Sequence, residues 1–88
     1  MIRKRIIFGP HSWDEMNKAT ALVQEVNRDM VSDTINLGVK RMQRPKGKRG
    51  FPVMQANRHW GKEDLRVVYE DCPWGCELMT ILWEGHYD

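Results

Sequence analysis

The chain reads as a single α+β domain spanning 1–88, in the order β-α-α-β-β-β, with two N-terminal helices packed on a small, mainly antiparallel sheet. Three observations predict this. Two runs rich in Val, Ile, Leu, Tyr and Trp, LRVVYED and CELMTILWEGHY, flank a Pro-Trp-Gly turn, the pattern of a β-hairpin. Apolar residues at 13, 16, 19, 22, 23, 26 and 30 recur near the helical period of 3.6. The length of 88 residues suits one domain, which at this size buries only about 60–65% of its unfolded surface.

In chain order, residues 2–8 are expected to form a short strand that Gly9-Pro10 stops. Ser12 is the expected N-cap of the first helix, with Glu15 completing a capping box and Asp14 and Glu15 facing the positive end of the helix dipole. The apolar register slips after Met30, where Val31, Ile35, Val39 and Met42 form a second series. Two helices are therefore expected, at about 12–29 and 33–43, with one bent helix as the alternative. Pro45 ends this region, because proline disfavours helical geometry in the residue before it. Residues 45–50 read as a loop and 51–57 as a strand that begins at a sheet edge, where Pro52 is tolerated. A polar turn over 58–64 leads into hairpin strands at about 65–71 and 76–84.

Alternation in the first hairpin strand sets Leu65, Val67 and Tyr69 toward the core and Arg66, Val68 and Glu70 toward the other face. In the second, Met79, Ile81 and Trp83 share a face with Glu77, opposite Leu78, Thr80 and Leu82. Tyr69 and Trp83 are expected under the helices.

The formal charge of +2 conceals an asymmetry. Residues 1–50 hold eleven Lys/Arg against five Asp/Glu, and the rest of the chain holds three against seven. Six cations, Lys40, Arg41, Arg44, Lys46, Lys48 and Arg49, fall in one run of ten residues without an acid. Such density is the electrostatic footprint of a polyanion site, most often for nucleic acid, with a solvated surface loop as the plainer explanation. Arg58 extends the set. No run of about 18 apolar residues is present, and Ile6-Ile7-Phe8 is too short for a signal-peptide core, so a cytoplasmic location without membrane contact is expected.

Cys72 and Cys76 bracket the hairpin turn. Free thiols, a disulfide across the hairpin mouth, and half of a zinc site with His59 and His86 are the three alternatives, free thiols being the simplest in a reducing compartment. No phosphate-cradling glycine motif, nucleophile elbow or HExxH is present.

What stands out chemically is Arg66 and Glu70 on one strand face and His86-Tyr87 just past the second strand. RNA cleavage needs a base for the 2′-hydroxyl, cations for the phosphate in flight and an acid for the leaving oxygen. An imidazole can serve as acid or base near neutral pH, an arginine fork matches phosphate oxygens, and a phenol can stack on a base or donate a proton. None of this requires a metal or cofactor. The plainer view makes Arg66 and Glu70 a surface pair and His86-Tyr87 a tail.

The element order, SWDEM after the first strand, LRVVYED in the penultimate strand and the ending GHYD together resemble the RelE/YoeB family of small ribosome-dependent ribonuclease toxins. The likeness covers most of the chain in pattern and about 15 residues in detail. It implies a RelE-like fold and a toxin-like endoribonuclease that cleaves mRNA on the ribosome by metal-independent acid–base catalysis, with a small antitoxin protein as partner. It further implies that Arg66 binds the scissile phosphate, His86 acts as general acid and Tyr87 positions the nucleotide. Where YoeB-type proteins place a catalytic glutamate, this chain has Lys46-Gly47-Lys48, as RelE-type relatives carry lysines there. The base is thus unassigned, with Glu70 as a candidate. The competing hypothesis is a non-enzymatic binding protein, such as a phage-type inhibitor of a host protein or a nucleic-acid-binding module. Its Trp and Met at 13, 60, 74, 83, 54 and 79 suit an interface. The gyrase-poisoning branch of the same fold is a third.

Overall fold

Two helices on one face of a five-stranded sheet make up the computed structural model, which describes residues 4–86. The elements are β1 (Ile6–Ile7), α1 (Pro10–Leu22), α2 (Arg28–Leu37), β2 (Val39–Arg44), β3 (Val53–Trp60), β4 (Glu63–Cys72) and β5 (Gly75–Trp83). Across the sheet the strands lie in the order β1-β5-β4-β3-β2. β1 runs parallel to β5 and every other pair is antiparallel. The α+β class and the two helices agree with the sequence reading, which had one strand too few.

The missed strand is β2. Its residues fall where a helix over 33–43 is expected, because Val39 and Met42 continue the helical spacing of Val31 and Ile35. The helix instead ends at Leu37. A Cβ on Gly38 would run into the carbonyl oxygens of Thr34 and Asn57, so only glycine lets α2 close directly against β3 at this corner. Val39 and Met42 then pass to an edge strand, where they are 79% and 55% exposed. Their spacing carried no core information.

The first helix also differs from expectation. Pro10 does not merely stop a strand; it is the first residue of α1, where its missing N–H costs nothing, and Gly9 is the N-cap. Ser12 sits at the third helical position, buried, and its hydroxyl accepts a hydrogen bond from the Gly9 N–H at 3.4 Å. The first turn therefore holds neither Asp14 nor Glu15. α1 closes at Leu22, and Asn27 caps α2 by accepting from the Met30 N–H at 2.9 Å. The periodic series through Met30 thus spans two helices and the link between them.

Beneath the helices lies the core: Met16 and Ala19 from α1, Val31 and Ile35 from α2, Ala56 from β3, Leu65, Val67 and Tyr69 from β4, and Cys76, Ile81 and Trp83 from β5. Each fully buried aliphatic side chain here contributes about 1.5–3 kcal/mol. Trp83 is fully buried, and its indole N–H donates to the Ala19 carbonyl at 3.1 Å, which ties β5 to α1. Tyr69 and Trp83 both lie on the helix-covered side, as expected.

A bulge revises the outer part of the hairpin. Val68 pairs with Thr80 but Tyr69 pairs with Leu78, so Met79 is the extra residue. Beyond it the faces exchange. Cys76 and Leu78 turn to the core, while Glu77 stands opposite Glu70 on the open face instead of sharing a face with Ile81 and Trp83. β3 continues through Trp60, so the polar turn expected over 58–64 contracts to Gly61-Lys62. No helix among the described residues is long and apolar enough to cross a membrane.

Candidate nucleic-acid interface

Pairing across the sheet sets Arg41 opposite Gln55, Gln55 opposite Val68, Asn57 opposite Arg66 and Arg66 opposite Leu82, all on the face without helices. Polar side chains in such positions can bond sideways along the face, and here they form a continuous relay. The Gln43 amide donates to Gln55 Oε1 at 2.9 Å, Gln55 donates to Asn57 Oδ1 at 2.8 Å, and Asn57 donates to Glu84 Oε1 at 2.7 Å. Arg66 Nε donates to the same Glu84 oxygen at 2.7 Å. An ionised partner makes this hydrogen bond roughly twice as strong as a neutral one and fixes the plane of the guanidinium. Arg66 is therefore held at Glu84, just past the end of β5, on an oxygen it shares with Asn57 of β3.

At the far end of β4, Glu70 has a different task. It is 1% exposed, and its Oε2 accepts from the backbone N–H of Arg49 at 2.9 Å and of Phe51 at 3.1 Å. The Arg49 guanidinium lies 3.7 Å from its Oε1 and 3.8 Å from Glu77. Gly47 comes so close that a Cβ there would fall 2.8 Å from Glu70 Oε1. This buried carboxylate thus anchors the basic loop after β2 against the sheet.

The anchored loop borders a cleft of about 480 Å³ lined by His11, Arg44, Lys48, Arg49, Glu70, Leu78 and Met79. His11 comes from the first turn of α1. Its Nε2–H donates to the Met79 carbonyl at 3.1 Å, the position on β5 that the bulge displaces. Among the described residues no carboxylate pairs with Arg41, Arg44, Lys46 or Lys48, all of them exposed.

The other sequence candidates lie elsewhere. Lys40 faces the helix side and its ammonium donates to the Ile35 and Asn36 carbonyls at 2.9 and 3.3 Å, the C-terminal end of α2. Arg58 is also on that side, 4.7 Å over the Trp60 ring and 3.7 Å from Asp33. His86 bridges back to Trp83, with Nε2 3.3 Å from Glu63 Oε1, beside a small cleft lined by Glu15, Lys18, Leu22 and Ile81. Tyr87 lies outside the described residues. The sheet therefore brings Arg66 to Glu84 and Glu70 to the basic loop, separated by four positions or about 13 Å of strand. His86 leans to the helix side of the same end as Arg66.

Cys72 and Cys76 are free, buried thiols at the opposite end of β4 from His59, which hydrogen-bonds Asp64 at 2.7 Å. Burial pushes the Cys76 thiol up to about 11 and raises that of Cys72. Among the described residues no cluster of His, Cys, Asp and Glu has the geometry to hold a metal ion.

Sequence reasoning missed Glu84 and His11. Glu84 carried a signal, since Thr80, Leu82 and Glu84 alternate onto the face of Arg66 once the strands are paired. His11 carried none, because its place depends on how α1 crosses the edge of β5. No family profile, curated protein or solved structure matches the chain.

Proposed function

We propose that the chain is a toxin-like endoribonuclease that cleaves mRNA on the ribosome without a metal. The observation that carries this reading is the Arg66–Glu84 pair, fixed on an open sheet face that also holds Arg41 and Arg44, neither of them paired with a carboxylate among the described residues. In the reaction Glu84, beside the arginine, takes the proton of the 2′-hydroxyl. The 2′-oxygen then bonds to phosphorus and the 5′-oxygen leaves with a proton. The products are a 2′,3′-cyclic phosphate and a free 5′-hydroxyl. The Arg66 guanidinium, a planar fork that matches phosphate oxygens, stabilises the phosphate as charge builds. His86 and Tyr87, following Glu84 and Gly85 directly, supply the acid and a surface for the base. Glu84 fills the role of base for which Glu70, fully buried and bonded to two amides, is poorly placed.

The test is cleavage of ribosome-bound mRNA by purified protein. Arg66→Ala, Glu84→Gln and His86→Ala should each reduce the rate by roughly 10²–10⁴, the usual range for loss of an acid or base. Arg66→Lys should not restore it, because the fork geometry is gone. Thermal melts of the variants check that the fold survives. A wild-type protein that cleaves nothing, or variants that cleave at the wild-type rate, removes the nuclease reading.

One observation favours the alternative, a non-enzymatic binding protein. Arg66 and Glu84 engage each other closely enough to serve as a structural pair. The cations of β2 would then act in binding alone, or as the charges that protect an exposed sheet edge from pairing with another chain.

A further inference from the structure

A second feature of the open face lies at the end of the sheet away from Arg66, around the β4–β5 turn. Trp74 sits at the tip of that turn and is 49% exposed. It is not a loose side chain. Its indole N–H donates to Glu77 Oε2 at 2.8 Å, and its ring meets Phe51 edge to face at 5.4 Å between centroids. Glu77 in turn lies 3.8 Å from the Arg49 guanidinium, and the Phe51 N–H is bonded to Glu70. A large aromatic surface is thus fixed to the same loop that lines the cleft of His11, Arg44, Lys48 and Arg49.

Cations that neutralise phosphates, next to an aromatic plane that every base can stack on, are the two components of single-stranded nucleic-acid recognition. Fixing the ring in advance lowers the ordering cost of binding. A duplex keeps its bases stacked inside and offers none to Trp74. An acidic protein surface would use the cations but gain nothing particular from the indole.

We propose that the cleft and Trp74 form a single-stranded RNA subsite, with a phosphate held between Arg44 and Lys48 and the adjoining base stacked on Trp74. Arg49 lines the same cleft but is engaged by Glu70 and Glu77, so it shapes the site while Arg44 and Lys48 supply the free charge. This rests on the RNA-binding half of the reading above and not on cleavage.

The experiment measures fluorescence anisotropy of a labelled 2′-O-methyl RNA octamer, which lacks the attacking hydroxyl and so reports binding alone. Trp74→Ala should weaken binding by roughly 5- to 150-fold, the usual effect of losing one base-stacking contact, while Trp74→Phe should retain most of it. Arg44→Ala and Lys48→Ala should each lower the slope of log K against log salt by about 0.7, as expected for one phosphate contact on a single strand. A duplex of the same sequence should bind more weakly than the single strand. The proposal is overturned if the octamer does not bind, if the Trp74→Ala protein binds as well as wild type, or if the duplex binds equally well. Absence of binding with retained capture by an acidic protein would give Trp74 to a protein partner. Trp74-dependent binding without mRNA cleavage upholds the subsite and refutes only the nuclease. Cleavage by a protein indifferent to Trp74→Ala refutes only the subsite.

Discussion

Glu70 holds Arg49 at two points: its Oε2 accepts the Arg49 backbone N–H at 2.9 Å and its Oε1 lies 3.7 Å from the same residue's guanidinium. The basic loop is therefore a shaped element whose form depends on one buried carboxylate, and the surrounding cations take their places from it.

Removing that carboxylate should loosen the loop and cost stability. Glu70→Ala leaves the Arg49 and Phe51 amides without their acceptor, and the expected loss in urea unfolding is about 2–3 kcal/mol. Glu70→Gln keeps one acceptor oxygen and should lose less. Amide exchange at Arg49 and Phe51 should accelerate more than exchange in β4. Unchanged protection at those two amides would remove the anchoring role.

Tyr69 offers a test in the opposite direction. Its hydroxyl is buried with no hydrogen-bond partner among the described residues, and burial raises its pKa. An unpaired buried hydroxyl costs about 1–3 kcal/mol, so Tyr69→Phe should leave the protein as stable or more stable. A rise in melting temperature of about 4–8 °C per kcal/mol is expected for a domain of this size. A loss of more than about 1 kcal/mol would mean that the hydroxyl has a partner in solution.

The thiol of Cys76 makes stability fall at high pH. Burial raises it from about 9 to about 11, which favours the neutral form in the folded chain. The contribution is fully present below the ordinary thiol value and disappears as pH rises through about 11. The urea midpoint should therefore fall between pH 9 and pH 11, and Cys76→Ala should fall less over the same interval. At pH 8 the native thiol should alkylate far more slowly than the same thiol in urea, since the thiolate is the nucleophile. Equal alkylation rates would contradict the burial.

Much of the fold was legible because it depends on local patterning. The hairpin announced itself through β-branched and aromatic runs around Pro73-Trp74, and β4 and β5 extend over Glu63–Cys72 and Gly75–Trp83, within two residues of expectation. The inward set of Leu65, Val67 and Tyr69 followed from simple alternation. What failed were places where two patterns competed. Val39 and Met42 matched a helical period, yet the close approach of Gly38 to β3 ended the helix first. Glycine at 38 was visible, but the backbone it had to meet was 19 residues away. The candidate site divides the same way: Arg66 was found from its strand, and its partner Glu84, just past the end of β5, was not, since its place beside Arg66 shows only once β4 and β5 are paired.

The sequence by itself determined the class of the fold, the strand that carries Arg66, and the concentration of positive charge between Lys40 and Arg49. These are properties of neighbouring residues, set by side-chain period and turn chemistry. Only the tertiary structure decided that Glu70 faces inward to a loop, that Glu77 joins it through the bulge at Met79, and that Arg66 is held by Glu84. Each depends on strand register, and a one-residue shift exchanges every side chain between the two faces of a sheet. That shift is set by packing of the whole sheet against the helices, which no short stretch of sequence contains.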